Sequence, residues 1–358
     1  MNDSAHTAEM QYKAGLRPLY FVLLAGGVAL LFLLNLAFGS VDIPLTDIIK
    51  ILAGGTGEDP AWQKILINIR LPRAVTAILA GSALSVGGLQ MQTLFRNPLA
   101  GPSVLGITSG ASLGVAAVML AGGSLTSIFA IQQLSAWGSW LIVGAASLGS
   151  AAVLLLILLI SVKVRDNVTL LIIGLMVGNI TIAVVSIWQY FSHPEQIQDY
   201  LIWTFGSLGG VPLNQLWIVA LVVLAGGGIA TALSKPLNGL LLGENYARSM
   251  GLSVSKTRIW IIASTSLLAG GITAFTGPIG FIGIAVPHLT RSLLGTNEHR
   301  VLIPGTLLMG ALLLLTCDLV ARMPGSTATL PISAVTSLVG SPVVIWVIMQ
   351  RKNLQASF

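Results

Sequence analysis

Hydrophobic stretches of membrane-crossing length alternate along the chain with short segments that carry almost all of its charged residues. A helix needs about 20 consecutive, mainly apolar residues to cross a bilayer. A polar stretch at 122–139 divides a run of 66 uncharged residues into two spans. The pattern predicts spans at 18–41, 74–95, 103–121, 138–161, 167–194, 213–233, 301–321 and 332–349.

The region 259–294 decides the number of spans. Gly277-Pro278 falls near its middle, and a Gly-Pro pair is typical of a break between helices. Two helices in this region give ten spans and place 13 of the 18 Lys and Arg residues on the side of the termini, against 10 with nine spans. Because cytoplasmic loops are enriched in Lys and Arg, we predict ten spans with both termini cytoplasmic.

The ten spans predict one transmembrane domain over residues 18–350. The segments 1–17 and 351–358 are predicted as cytoplasmic tails. The segment 1–17 contains Asp3 and Glu9 and has no small-residue cleavage site after a short apolar core. We therefore interpret the first span as a retained helix and not as a signal peptide.

The composition supports an all-α, polytopic membrane protein. Hydrophobic residues make up 54% of the 358 residues and charged residues only 8%, whereas soluble domains carry about 25% charge. The net charge is +6, but 18 Lys and Arg residues are too sparse for a nucleic-acid surface, so no nucleic-acid partner is expected. The single cysteine, Cys317, excludes a disulfide framework and a thiolate metal cluster.

An internal repeat relates two halves of the chain. Residues 80–89 align with residues 263–272 at a constant offset of 183, and Gly101-Pro102 and Gly277-Pro278 each introduce an apolar stretch further on. The predicted topology makes the two copies run in opposite directions. Inverted repeats with Gly/Pro-interrupted helices are typical of transporters, and the interrupted helices lie near the transport pathway.

Glycines recur at helix-packing spacing. Gly106, Gly110 and Gly114 form two consecutive G-x-x-x-G steps, and Gly174 with Gly178 forms another. Small residues let helices approach closely in a membrane, so close packing is the favoured interpretation. Direct lining of a pathway is the alternative.

The sequence lacks the common motifs for nucleotide hydrolysis, zinc proteolysis and thiol redox chemistry. No Gly-Lys pair, H-E-x-x-H or C-x-x-C occurs, so we expect no nucleotide hydrolysis, no catalytic residue, no metal site and no cofactor in this chain. Asp318 is the candidate intramembrane carboxylate, and it lies four residues before Arg322. An ion pair or a carboxylate at the helix end is the favoured interpretation, and a proton relay is the alternative. Energy for transport is therefore expected to come from a separate subunit.

The loop 234–258 is the longest predicted cytoplasmic segment. It predicts two short helices with breaks at Gly243 and Gly251, and Glu244 and Arg248 have the i,i+4 spacing that supports a helix. The loop also carries apolar residues at Leu240–Leu242, Tyr246 and Met250. Either the protein's own helix ends or a partner protein must cover them.

Arginines mark the predicted outer side. Arg70-Leu-Pro-Arg73 lies at the mouth of the second span, and Arg322 lies at the same membrane face. The arginines could anchor lipid headgroups or receive carboxylates from a soluble partner.

Several long motifs resemble one family of membrane transporters. They are Arg70-Leu-Pro-Arg73, Gly87-Gly-Leu-Gln-Met-Gln-Thr-Leu-Phe-Arg-Asn-Pro-Leu-Ala100, Leu105-Gly-Ile-Thr-Ser-Gly-Ala111, Leu242-Gly-Glu-Asn-Tyr-Ala-Arg-Ser-Met-Gly251, Gly277-Pro-Ile-Gly-Phe-Ile-Gly-Ile-Ala-Val-Pro-His288, and Leu330-Pro-Ile with Gly340-Ser-Pro-Val-Val-Ile-Trp346. In this order, over residues 40 to 352, the chain resembles the FecCD/cobalamin-type permeases. These are the membrane subunits of type II ABC importers for iron-siderophores, haem and cobalamin.

The resemblance implies a ten-helix permease in the inner membrane of a bacterium. It further implies a second permease copy, most simply in a homodimer, two cytoplasmic ATPases that use ATP and Mg, and a periplasmic or lipid-anchored substrate-binding protein. Lipid surrounds the assembly. A ferric siderophore is the first expected cargo, with cobalamin or haem as alternatives. A proton-coupled transporter without ATPases is the alternative from another class.

The resemblance also implies roles for individual residues. Docking of the binding protein is expected at Arg70, Arg73 and Arg322. Coupling to the ATPases is expected at Gly243, Glu244, Ala247, Arg248 and Gly251. The pathway and its gate are expected at Asn97, Pro98, Gly277, Pro278, Gly280, Gly283 and Pro287.

Overall fold

The computed structural model describes residues 2–39, 41, 43–120, 137–164, 166–322 and 329–350, and helices account for nearly all regular structure in these ranges. A π-helical turn (Leu66–Arg70) precedes α4, and a 3-10 turn (Pro102–Leu105) precedes α5. The α-helices are α1 (Asn2–Ala37), α2 (Leu45–Leu52), α3 (Pro60–Ile65), α4 (Leu71–Phe95), α5 (Ile107–Met119), α6 (Trp137–Lys163), α7 (Asn167–Phe191), α8 (Pro194–Thr204), α9 (Leu213–Ala232), α10 (Ser234–Leu241), α11 (Glu244–Ser249), α12 (Val254–Thr276), α13 (Ile282–Leu294), α14 (His299–Ala321) and α15 (Ile332–Gln350).

The all-α class predicted from the sequence is confirmed. Residues 2–17, predicted as a tail, continue α1 without a break, and the predicted tail 351–358 lies outside the described residues. Each predicted span coincides with a helix. Seven helices in the described ranges are long and apolar enough to cross a membrane: α1, α4, α6, α7, α9, α12 and α14.

Two of the remaining three predicted spans are short helices. α5 and α13 have 13 residues each, which gives a length of about 20 Å, less than the hydrocarbon thickness of about 30 Å. Each follows an irregular segment that contains one of the two Gly-Pro pairs. Short helices after broken backbone match the Gly/Pro-interrupted segments that the sequence predicts. α15 has 19 residues, which gives a length of about 28 Å.

Three helices form the centre of the bundle. The most apolar window is 83% buried in the segment that contains α4, 67% in α12 and 56% in α14. The corresponding shares are 17% in α1, 22% in α6 and 28% in α7. The helices with low burial therefore present their side chains to the surroundings of the bundle, where apolar residues suit lipid.

The sequence repeat corresponds to two equivalent structural units. α4 and α5 form one unit and α12 and α13 the other, each a long buried helix, a break and a 13-residue helix. The long helix of each unit packs against the short helix of the other. Between the long helices, Ser264 and Thr265 donate their hydroxyls to Gln90 Oε1 at 3.1 and 3.0 Å.

Close helix packing explains the G-x-x-x-G spacing. A Cβ atom on Gly110 would lie 2.6 Å from Gly149 O on α6, and one on Gly114 would collide with the backbone of Ala145. A Cβ atom on Gly106 would lie 3.2 Å from Gly174 O on α7. The packing interpretation is thus confirmed for these glycines.

Gly149→Val should destabilise the protein, because the new side chain meets the backbone of α5 at Gly110. We expect a loss of about 1–3 kcal/mol in the free energy of unfolding, as for other overpacked sites. The control is Gly144→Val on the same helix, where a Cβ atom has no neighbour within 4 Å. Thermal unfolding of both variants in detergent measures the difference, and equal midpoints would contradict the packing role.

Candidate functional site

Two groups of the predicted site residues lie at opposite ends of α4. Arg70 and Arg73 flank its first turn, and Asn97 and Pro98 follow its last turn. A 25-residue helix is about 37 Å long, which exceeds the hydrocarbon thickness of a bilayer. We call the two ends of the bundle the arginine end and the cleft end. One rigid helix thus separates the two groups by the thickness of a membrane.

Asp318 is the centre of the arginine end. Its carboxylate is fully buried, and its Oδ1 accepts a hydrogen bond from Arg73 Nε at 2.8 Å. Arg322 Nη2 lies 3.1 Å from Asp318 Oδ2. The ion pair predicted for Asp318 and Arg322 is therefore confirmed, and Arg73 is a second partner that the sequence spacing did not indicate.

Two of the arginines also cap the carboxyl end of α1. Arg70 Nη1 donates to Leu36 O at 2.7 Å and to Ala37 O at 2.6 Å. Arg322 Nη1 donates to Asn35 O at 2.8 Å and to Phe38 O at 3.1 Å. The last four carbonyls of a helix lack partners within the helix, and cations near them are favourable. Both arginines therefore stabilise the end of α1.

The three arginines differ in accessibility. Arg70 and Arg322 are buried, whereas the side chain of Arg73 is 18% exposed. The loop at Gly209 lies beside the Arg73 guanidinium, since a Cβ atom on that glycine would be 3.7 Å from Arg73 Nη1. The structure thus brings together the three residues that the sequence assigned to docking, and it leaves Arg73 as the one with open access. Docking itself stays a prediction.

A cleft of about 990 Å³ opens at the other end of α4. Its lining combines the predicted gate residues with the first predicted coupling residues. Asp166, which lies in the turn before α7, also faces this cleft. The lining segments are 94–99, 166–168 and 242–246.

The loop 234–258 folds as the sequence predicts. It forms α10 and α11, and the chain breaks at Gly243 (φ +103°) and Gly251 (φ +84°), a backbone conformation that favours glycine. A Cβ atom on Gly239 would lie 4.0 Å from Ala247 Cβ, so the two short helices pack against each other. Leu242, Tyr246 and Met250 remain exposed.

Glu244 joins this loop to the neighbouring helices. Its carboxylate accepts hydrogen bonds from Arg248 Nη2 and Arg258 Nη2, both at 3.1 Å. Arg258, which is buried, also donates from Nη1 to Val164 O at the end of α6, at 2.8 Å. The sequence predicts the Glu244–Arg248 pair from its helical spacing, but Arg258 is 14 residues from Glu244 and has no local signal.

Residues Arg96 to Leu99, which we call the gate turn, are tied to α13. Leu99 N donates to Asn97 Oδ1 at 2.9 Å, and this closes the turn. His288 Nε2 lies 2.7 Å from Pro98 O, and Gln92 Nε2 donates to Ile284 O at 3.1 Å. The sequence analysis missed the roles of Gln92 and His288, because both contact residues that are about 190 positions away in the chain.

The other predicted pathway residues do not lie together in one cavity. Gly277 (φ +70°) ends α12 and lines a cavity of about 340 Å³ with Trp203 and Ser207, while Gly280 has open space around it. Gly283 packs against α4, where a Cβ atom would lie 2.8 Å from Leu84 O. Two prolines complete this segment: Pro278 directly follows Gly277, and Pro287 is buried inside α13.

No group of three or more His, Cys, Asp and Glu residues that could hold a metal ion is found in the described part of the chain. Ionisable residues instead form ion pairs at the two ends of the bundle.

The all-helical bundle, the two repeated units and the interrupted helices define a membrane permease with the fold of type II ABC importers. A structure described as an inward-facing metal-chelate type ABC transporter matches with a TM-score of 0.80 and 29% identity, covering 93% of this chain and 99% of that one. PsaBC from Streptococcus pneumoniae in complex with Fab shares the fold, with a TM-score of 0.50 and 17% identity over 84% of this chain and 95% of that one.

The chain belongs to the FecCD transport family, which matches residues 27–350. It is 35% identical to the hemin transport system permease protein HmuU of Yersinia pestis over 91% of this chain and 96% of that protein. It is 37% identical to the vitamin B12 import system permease protein BtuC of Salmonella typhimurium over 82% of this chain and 85% of that protein.

Asp318→Asn should lower the free energy of unfolding by about 3–5 kcal/mol, because the substitution leaves buried guanidinium groups without their counter-charge. Thermal unfolding of the purified protein in detergent measures this loss. Glu195→Gln on α8 is the control, since that carboxylate is exposed. A variant of Asp318 with the wild-type midpoint would contradict a structural ion pair.

Proposed function

We propose that the chain is the permease subunit that carries a metal chelate across the cytoplasmic membrane of a bacterium, driven by ATPase subunits. The observation that carries the proposal is the pair of polar sites at opposite ends of α4. Within the proposal, the arginine end faces the outside and the cleft end faces the cytoplasm, as the distribution of Lys and Arg predicts. Two permease copies form the transport pathway along their interface.

The arginine end is the proposed docking site of a substrate-binding protein. Arg73 is partly exposed and keeps hydrogen-bond donors beyond the one that contacts Asp318. A guanidinium group pairs well with a carboxylate, so the expected partner surface is acidic. Arg70 and Arg322 contribute positive potential and hold Arg73 in place through Asp318 and the end of α1.

The loop 234–258 is the proposed contact with the ATPases. The apolar side chains of Leu242, Tyr246 and Met250 are exposed, and contact with a cytoplasmic protein would bury them. The ion pairs of Glu244 with Arg248 and Arg258 then connect this contact to α12 and to the end of α6. Gly243 and Gly251 supply the backbone breaks that set the angle of α11.

Transport is proposed to proceed by alternating access. Partners can move the permease between two states only if they bind the two states with different affinities. The docked, loaded binding protein and the ATP-bound ATPases are the partners that supply this difference. The gate turn and the broken segment before α13 are the elements that change position.

The proposed cargo class is a metal chelate. The family resemblance puts a ferric siderophore first, while HmuU and BtuC are named for hemin and vitamin B12. Purified complexes in liposomes with candidate binding proteins, each loaded with one of the three chelates, test the cargo. ATP-dependent uptake of one chelate would identify it. Uptake that persists without ATP would overturn the proposal and support a proton-coupled transporter, although Asp318 is paired with two arginines.

Arg73→Gln should weaken docking of the binding protein about thirtyfold or more, because truncating one partner of a hydrogen-bonded charge pair that is buried in an interface costs about 2 kcal/mol or more. The control is Lys64→Gln, which removes an exposed charge from α3 near the same end. Binding of the loaded binding protein to the liposome-embedded complex measures the effect. Equal affinities of both variants and the wild type would contradict docking at Arg73.

Glu244→Gln should reduce uptake per ATP hydrolysed, because the carboxylate charge that holds Arg248 and Arg258 is lost. We expect a loss of about tenfold to a hundredfold, the factor that corresponds to a hydrogen bond to a charged group. Glu298→Gln is the control, an exposed carboxylate at the start of α14. Normal coupling in the Glu244 variant would argue against the role of this ion pair.

A further inference from the structure

A buried histidine connects α10 to the end of α4. His299 is the first residue of α14, and no part of it is exposed. Its backbone N–H donates to Asn238 Oδ1 on α10 at 2.9 Å, and its ring Nδ1 lies 2.7 Å from the same oxygen. On the other side of the ring, Nε2 lies 2.9 Å from Thr93 Oγ1 on α4.

The donors and acceptors of this contact follow from its chemistry. Asn238 Oδ1 can only accept, so Nδ1 of His299 carries a proton, and in the neutral ring Nε2 is an acceptor. Thr93 has one hydroxyl hydrogen and two acceptors at 2.9 Å, which are His299 Nε2 and Leu89 O of its own helix. The hydroxyl can therefore donate either within α4 or across to α14. The Thr93 hydroxyl thus has two discrete orientations, one toward Leu89 O and one toward His299 Nε2.

The two residues at the ends of this connection lie in or beside the segments that change position in the proposed transporter. Asn238 lies on α10, which packs against α11 at Gly239 and Ala247. Thr93 is three residues before Arg96, where the gate turn begins. A displacement of the loop 234–258 therefore has a short, polar and buried route to the gate turn.

We propose that His299 and Thr93 are positioning residues that transmit movement of α10 to the gate turn. This inference rests on the proposed function, because it takes the loop 234–258 as the ATPase contact. It adds a second connection to the one that Glu244 and Arg258 make toward α6. The first connection leads to the turn before α7, and this one leads to α4.

α4 itself offers a matched control. Thr76 and Thr93 are both fully buried, and in both the hydroxyl oxygen lies within hydrogen-bond distance of the carbonyl four residues earlier, at 2.7 and 2.9 Å. Only Thr93 also contacts His299. Thr93→Val and Thr76→Val therefore make the same chemical change on the same helix, and they differ in whether the connection is cut.

The experiment measures chelate uptake per ATP hydrolysed by the full complex of permease, ATPases and binding protein in liposomes. Thr93→Val should lower this ratio about fivefold, the factor expected for one buried hydrogen bond, while assembly and basal ATP hydrolysis stay unchanged. Thr93→Ser, which keeps the hydroxyl, should restore the ratio. Asn238→Ala should lower it similarly, and the double variant should show no further loss, because both substitutions cut one connection.

A normal ratio in Thr93→Val, or an equal loss in Thr76→Val, would overturn the connection while leaving the proposed function intact. Additive losses in the double variant would overturn it too. If the wild-type complex shows no ATP-driven uptake, the proposed function fails, and the connection fails with it. The wild-type measurement thus separates the two kinds of failure.

Discussion

The bundle depends on how closely α4 approaches its neighbours. α4 crosses α14 where Gly81 meets Gly310, and it crosses α13 where Gly88 meets Gly283, with backbone against backbone in both places. Without a hydrophobic drive between helices in lipid, such close contact supplies the packing attraction that holds a membrane bundle together. This contact also holds α4 in a fixed position, so that the residues at its two ends keep their places in the arginine end and the cleft end.

Polar side chains then determine how the helices are joined at these ends. At the arginine end, one carboxylate and two guanidinium groups connect α4, α14 and the end of α1. At the cleft end, the ion pair of Glu244 with Arg258 and the hydrogen bonds of His288 and His299 make the connections. The arginine end is thus held by a fully buried carboxylate, and the cleft end by a partly exposed carboxylate and by neutral hydrogen bonds that can exchange partners. Helix movement during transport is therefore expected at the cleft end.

Much of this architecture could be predicted from local sequence. The spans follow from uncharged stretches, the breaks from the Gly-Pro pairs, and α10 and α11 from the two glycines that separate short apolar helices. The Asp318–Arg322 and Glu244–Arg248 pairs follow from helical spacing. The contacts that cross the bundle could not be predicted in this way. Arg258 finds Val164 O across 94 positions, and His299 finds Thr93 across 206, and no periodicity in the chain encodes such pairs.

The caps on α1 have a consequence for synthesis of the protein. Arg70 follows Ala37 by 33 residues and can satisfy the end of α1 early, whereas Arg322 follows Asn35 by 287 residues. At a translation rate of about 5–20 residues per second, the second cap arrives about 15 to 60 s after the helix that needs it. Until then, the carbonyl of Asn35 lacks the hydrogen bond that Arg322 donates to it. A chain truncated before α14 ends would lack this second cap, and the end of α1 would keep a carbonyl that Arg322 otherwise satisfies.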